Sequence, residues 1–254
     1  MTPRLLPIAA AVLLAGGILS AQSAPNRDEI TKLSKSFLRD SAELPMTVAV
    51  ETVVTNAKGK KVRNAHSTTE FIFRGYNGQT GNASFRTNAG LMSYRIMHDS
   101  IAPNFAVINA FTVLAPQPDG LNDVAVEGGQ SGEPFLLKTT AACKDIQFAM
   151  AGQFLYPNKK CYSTQFRVHN DEAGAWTIER FDLDVASLPA AGKIPYLGPA
   201  TIRKIHAEGE VQAARLPDDP RPFLIPKRVT IRIESDKGTA VVTNQYTLKT
   251  PAKK

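Results

Sequence analysis

The chain has 254 residues with a formal charge of +7; 43% are hydrophobic and 21% charged, enough apolar material for a sizeable core. Its lysines and arginines are scattered and form no concentrated basic stripe, which argues against nucleic acid as the partner of an exported chain.

The first element in chain order is a leader. Arg4 supplies a short positive region, Ile8 to Leu19 form an apolar run, and Leu19-Ser20-Ala21 offers a cleavage site after Ala21. The run is well short of the ~20 apolar residues needed to span a bilayer, so residues 1–21 read as a secretory signal peptide rather than an anchor. No later segment approaches spanning length, and an integral membrane protein is not expected. The protein is therefore expected outside the cytoplasm, in a periplasm or beyond the cell, with residues 26–250 forming one β-rich domain.

Asn26 is placed to cap a helix with Asp28 and Glu29 in its first turn, and Ile30, Leu33, Phe37 and Leu38 share one face. After Pro45, Met46, Val48, Val50, Thr52 and Val54 alternate with Thr47, Ala49, Glu51 and Val53, the period of a strand. Asn56-Ala57-Lys58-Gly59 is a turn, and a second strand carries Val62, Thr69, Phe71 and Phe73. The run FRGYNGQTGNASFRTNAG at 73–90 then reads as a hairpin tip, since Asn and Gly both tolerate positive φ. Residues 104–114 are apolar all round, as in a buried helix, and 116–134 are dense in Pro, Asp, Gly and Asn and read as a long loop.

In the second half, Ile146–Leu155 and Cys161–Val168 alternate like the two arms of a hairpin around Tyr156-Pro157-Asn158-Lys159. Trp176–Val185 is a strand whose apolar parity changes between Ile178 and Phe181, which predicts a bulge. Ile202–Val211 is another strand. In the last hairpin, Val229, Ile231 and Ile233 face Asn244, Val242 and Ala240 across Ser235-Asp236-Lys237-Gly238, a register selected by the apolar pattern.

Cys143 and Cys161 are the only cysteines, and two cysteines in an oxidising compartment usually pair. The hairpin just described would hold them roughly 35 Å apart, far beyond the ~7 Å a disulfide tolerates. Either the chain before Asp145 folds back or the thiols stay apart; the bridge is the expectation.

Chemistry is sparse. Gly129-Gln130-Ser131-Gly132-Glu133 lacks the fifth-position glycine of a nucleophile elbow, and Gly78 and Gly81 precede no Lys-Ser/Thr. His66, His98, His169 and His206 are far apart in sequence, and Asp182 with Asp184 on one strand face does not assign acid and base roles. No catalytic residue, cofactor or metal is expected.

The order of elements, with the helix–strand–Lys58-Gly59–strand run, Gly152-Gln153-Phe154…Lys159-Lys160-Cys161-Tyr162 and the Pro226-Lys227-Arg228-Val229-Thr230…Lys237-Gly238 hairpin, resembles the periplasmic outer-membrane lipoprotein carrier superfamily. The resemblance implies an unclosed β-barrel whose helices plug an apolar cavity that accepts acyl chains. The expected fold class is accordingly mainly β, a curved antiparallel sheet or unclosed barrel covered by one or two helices. Phe71, Phe73, Phe148, Met150, Phe154 and Phe166 are candidates for the apolar ligand face. Lys58, Lys60, Lys61 and Arg63 are candidates for a basic surface that meets an anionic envelope or a protein partner.

Overall fold

The computed structural model describes residues 23–35, 44–77, 82–87, 107, 110, 124–129, 133–140, 162–171, 174–185, 188–194, 196–216 and 219–249. One helix, α1 (Arg27–Lys35), precedes eleven strands: β1 (Leu44–Asn56), β2 (Lys61–Asn77), β3 (Asn82–Thr87), β4 (Val124–Gly128), β5 (Phe135–Thr140), β6 (Tyr162–Asn170), β7 (Trp176–Val185), β8 (Ala190–Ile194), β9 (Gly198–Leu216), β10 (Asp219–Ser235) and β11 (Gly238–Leu248).

α1 starts where its cap allows. Asn26 Oδ1 accepts hydrogen bonds from the amides of Asp28 and Glu29, both at 3.0 Å, and Glu29 Oε2 accepts from the Asn26 amide at 2.7 Å. This reciprocal box satisfies donors that the first turn would otherwise orphan. Ile30 and Leu33 are buried, and the helix packs against β7.

All pairings are antiparallel, and ten strands run in the order β3-β2-β1-β11-β10-β9-β7-β6-β5-β4, with β8 added on β9 beyond β7. The last hairpin has the register its apolar pattern selects: Val229 opposite Asn244, Ile231 opposite Val242 and Ile233 opposite Ala240. The parity change in β7 is a bulge, because Arg167 pairs Arg180 while Val168 pairs Ile178, leaving Glu179 unpaired. Pro226, at another bulge, lies past the end of the β11 ladder, where its missing N–H breaks no bond to that neighbour. Within the 73–90 run, β2 and β3 pair antiparallel, Asn77 opposite Asn82, while 78–81 and 88–90 lie outside the described residues. Val107 and Ala110 are helical and fully buried, and the rest of the 104–114 stretch lies outside the described residues.

Two expectations are corrected. The 116–134 run is no continuous loop: Val124–Gly128 pairs with Phe135–Thr140 as a hairpin. Only five residues long, β4 is masked in the sequence by flanking turn formers and is held by the partner strand that follows it. The expected pairing of 146–155 with 161–168 also fails, because β6 is flanked by β5 along 163–168 and by β7 along 162–170, leaving no edge for a third strand. The alternation in 146–155 is a local signal, whereas edge choice is made by the whole sheet. β8, in a Pro- and Gly-rich stretch, is likewise a strand the local pattern does not announce.

The sheet is strongly curled. The Arg63 guanidinium lies 4.8 Å from the centroid of the Tyr196 ring, joining β2 to the β8–β9 turn. In a flat sheet these would stand four to five strand spacings apart, roughly 20–24 Å. The roll is incomplete, since β3 and β4 do not pair with each other among the described strands. Among the described residues the result is an unclosed antiparallel sheet with one short helix element, α1.

Candidate functional site

Strand alternation sends one residue in two to the inside of this curve, and the registers line those residues into rows. One row runs Val50, Asn244, Val229, Gly209, Phe181, Phe166, Leu137 and Val126 across eight strands. The next runs Thr52, Val242, Ile231, Ala207, Leu183, Thr164, Thr139 and Val124. From Val50 and Thr52 to Leu137 and Thr139 every member is buried. Gly209 is where size is decided: a Cβ there would sit 2.2 Å from Phe181 Cε1, so only glycine leaves room for that ring.

A few polar groups interrupt the inner face. The Asn244 side-chain amide donates to Tyr246 Oη at 3.0 Å, and Thr139 Oγ1 donates to the Thr164 carbonyl at 3.3 Å. Full burial pushes the Tyr246 phenol far above its ordinary range, against a smaller downward pull from the Asn244 bond, so it stays neutral. The hydroxyls of Thr52 and Thr164 are buried and find no hydrogen-bond acceptor or donor among the described residues. A buried polar group left in that state costs about 1–3 kcal/mol.

Of the apolar candidates named from sequence, Phe166 is fully buried between Leu137 and Phe181. Phe71 and Phe73 lie in β2 opposite Met46 and Leu44 by register. Phe148, Met150 and Phe154 fall outside the described residues, as do Cys143, Cys161 and the leader. Lys58, Lys60 and Lys61 are exposed, while Arg63 is half-buried over Tyr196 rather than standing with them in solvent. Tyr196 and Val62, exposed at 49% and 44%, are the large hydrophobics most open to solvent among the described residues, and both lie at this end of the sheet.

The outer face is polar. A shallow groove of about 450 Å³ is lined by Glu51, His66, Thr68, Arg228 and Gln245, and a smaller one of about 190 Å³ by Arg180, Glu208, Glu210 and Arg228. Beside the latter, His206 Nδ1 lies 2.9 Å from Asp184 Oδ1, and Nε2 lies 3.8 Å from Asp182 Oδ1. Both ring nitrogens thus face carboxylates rather than a hydroxyl, so no nucleophile–base pair forms here. Glu234, near this face, has its carboxyl held below the usual range by the hydrogen bond from Arg232. Sequence reasoning gave no role to Asn244 or Tyr246; the available signal was a polar Asn at an inward position of a valine-rich hairpin.

Fold and inner face together define an open, curled antiparallel sheet with a buried apolar lining, polar outside. The chain is similar in structure to a LolA superfamily protein from Nitrosomonas europaea, over 88% of this chain and 92% of that one, at 9% identity and a TM-score of 0.31. No family model and no curated protein matches the chain.

Proposed function

We propose that the protein is an exported, non-enzymatic carrier or sensor that holds a lipid-like ligand, such as an acyl chain, against the inner face of the sheet. The observation that carries this reading is the continuous apolar lining of an unclosed sheet, interrupted by a few buried hydroxyls. A lining of that chemistry suits a long apolar tail with a small polar group. α1 is about 13 Å long, spans only a fraction of the face, and is anchored inward by Ile30 and Leu33. Burying those two side chains stabilises by about 3–6 kcal/mol, whereas burying a sixteen-carbon chain at ~0.8 kcal/mol per methylene supplies roughly 12 kcal/mol. The ligand outweighs the helix it would push aside.

Gentle purification followed by native mass spectrometry and lipid extraction tests this. One bound lipid per chain is expected, exchangeable for a fluorescent fatty acid. Protein that carries no lipid and takes up no acyl probe would refute it. N-terminal sequencing of the mature protein, expected to begin at Gln22, tests export.

A second reading, compatible with the first, is favoured by the β1–β2 end. Lys58, Lys60 and Lys61 are exposed with no carboxylate within 4.0 Å among the described residues, and Val62 and Tyr196 stand open beside them. Unpaired cations with exposed apolar groups suit an anionic lipid surface. Salt-sensitive retention on phosphatidylglycerol vesicles, lost in K58E/K60E/K61E, is expected; retention unchanged by that variant would remove the reading.

A further inference from the structure

We propose that the outer face of β7 and β9 carries a divalent transition-metal site made by His206, Asp182 and Glu208. It goes beyond the carrier reading and does not depend on it, since it lies on the opposite face of the sheet. The strand pairing sets Asp182 directly opposite Glu208 and Asp184 directly opposite His206. Like charges facing each other across a ladder destabilise it, yet this register gathers three carboxylates around one imidazole. The cation that touches them is Arg180, whose guanidinium pairs with Glu208 and lies 3.4 Å from Asp182 Oδ1. Of the neighbouring cations, Arg232 stands directly opposite His206 in the β9–β10 ladder and pairs with Glu234 at 2.7 Å, and Lys227 pairs with Glu210 at 3.0 Å. Arg228 lines the same groove but stands opposite Glu210. Arg180 thus contacts two of the three carboxylates, and the ion-pair contact of Asp184 among the described residues is with His206.

The geometry suits a metal better than a second side chain. His206 Nδ1 lies 2.9 Å from Asp184 Oδ1, and the tautomer that donates Nδ1–H to this carboxylate presents its Nε2 lone pair for ligation. Such a carboxylate–imidazole pair fixes the tautomer and raises the basicity of the ligating nitrogen. One ligand atom each from Asp182, His206 and Glu208 lie within 4.8 Å of one another, and Nε2 is 3.8 Å from Asp182 Oδ1. Tetrahedral ligands about 2.1 Å from a zinc ion stand roughly 3.4 Å apart, so side-chain rotations on the order of an ångström would close the set. All three side chains are partly shielded and rise from paired strands rather than loops. One imidazole nitrogen with two carboxylate oxygens suits Zn²⁺ and its neighbours better than Ca²⁺ or Mg²⁺. A water or an anionic ligand group would fill the fourth position.

Arg180 then competes with the metal, and this gives the test its sign. A purely structural ion-pair cluster would gain no metal affinity from losing its arginine; a metal site would. Titration calorimetry of tag-free full chain with Zn²⁺ is expected to show one ion per chain. His206→Gln, close in size, should abolish that binding with an unchanged circular dichroism spectrum. Asp184→Asn should weaken it 10–100-fold, and Arg180→Gln should tighten it several-fold. Absence of Zn²⁺ binding in Arg180→Gln would overturn the proposal. So would wild-type binding that survives His206→Gln, because it would place the ion on other histidines or on the cysteines.

Discussion

The two sides of β9 show two different ways of making a sheet face. Inward, Ile205, Ala207, Gly209 and Val211 meet their neighbours by volume; outward, Lys204, His206, Glu208 and Glu210 meet theirs by charge. On the inner face Phe181 fills the space that Gly209 leaves. On the outer face, acids and bases from β7, β9 and β10 share a partly solvated surface. Where side chains meet as closely as Phe181 meets Gly209, fit is felt to a single methyl group. Pairing in water is screened and readily rearranged. Substitutions on the two faces should therefore differ in cost several-fold, although the residues are adjacent in sequence.

The largest expected effect is on the inner side. Phe181→Ala empties the centre of a fully buried row and should cost about 3–5 kcal/mol by chemical denaturation; a cost below 1 kcal/mol would mean the face is not close-packed. Next is the proposed Cys143–Cys161 bridge. The β5–β6 ladder ends with Thr140 opposite Ser163, and the two cysteines follow and precede those residues by three and two positions. Peptide mapping without reduction should find the bridge, and C143S/C161S should lose about 3 kcal/mol.

Gly209→Ala should cost about 1–3 kcal/mol through overpacking against Phe181. Paired with Phe181→Leu it should cost less than the sum of the two single changes, a coupling that a double-mutant cycle reads directly. Tyr246→Phe removes the acceptor of the Asn244 amide and should cost about 1 kcal/mol at neutral pH. Because the folded phenol titrates above its unfolded value of about 10, the wild type keeps this contribution below that pH and loses stability as pH rises from there. The variant should show a shallower alkaline decline in a thermal-melt series. The smallest effect is outside: Arg180→Gln should change stability by less than about 1 kcal/mol, and a larger loss would show that charge on the outer face is as demanding as volume on the inner.

Legibility followed locality. The α1 cap, the β1 alternation, the β7 bulge and the register of the β10–β11 hairpin depend on residues within about twenty positions of one another, and each was readable. β4 and β8 were not, since β4 is five residues long between turn formers and β8 carries Ile194 as its one large apolar residue. The site fared less evenly. Phe166 could be placed inward from its own strand, but the Asn244–Tyr246 pair gained its meaning only from complete burial. Asp182 and Asp184 could be seen to share a face, yet nothing in either segment announces that β9 brings His206 and Glu208 against them.

By itself the sequence determined which residues of each long strand face inward, because a strand's period of two is written in consecutive side chains. It also determined the helix start and the tightest turn, where the chemistry of one or two residues suffices. Only the tertiary structure decided that β1 lies beside β11, that β9 holds β7 and β8 end to end, and that the sheet curls until Arg63 reaches Tyr196. Those choices are made between edges remote in sequence. Any strand offers its backbone hydrogen bonds to any other, and the complementary volumes and charges of the whole sheet select the partner.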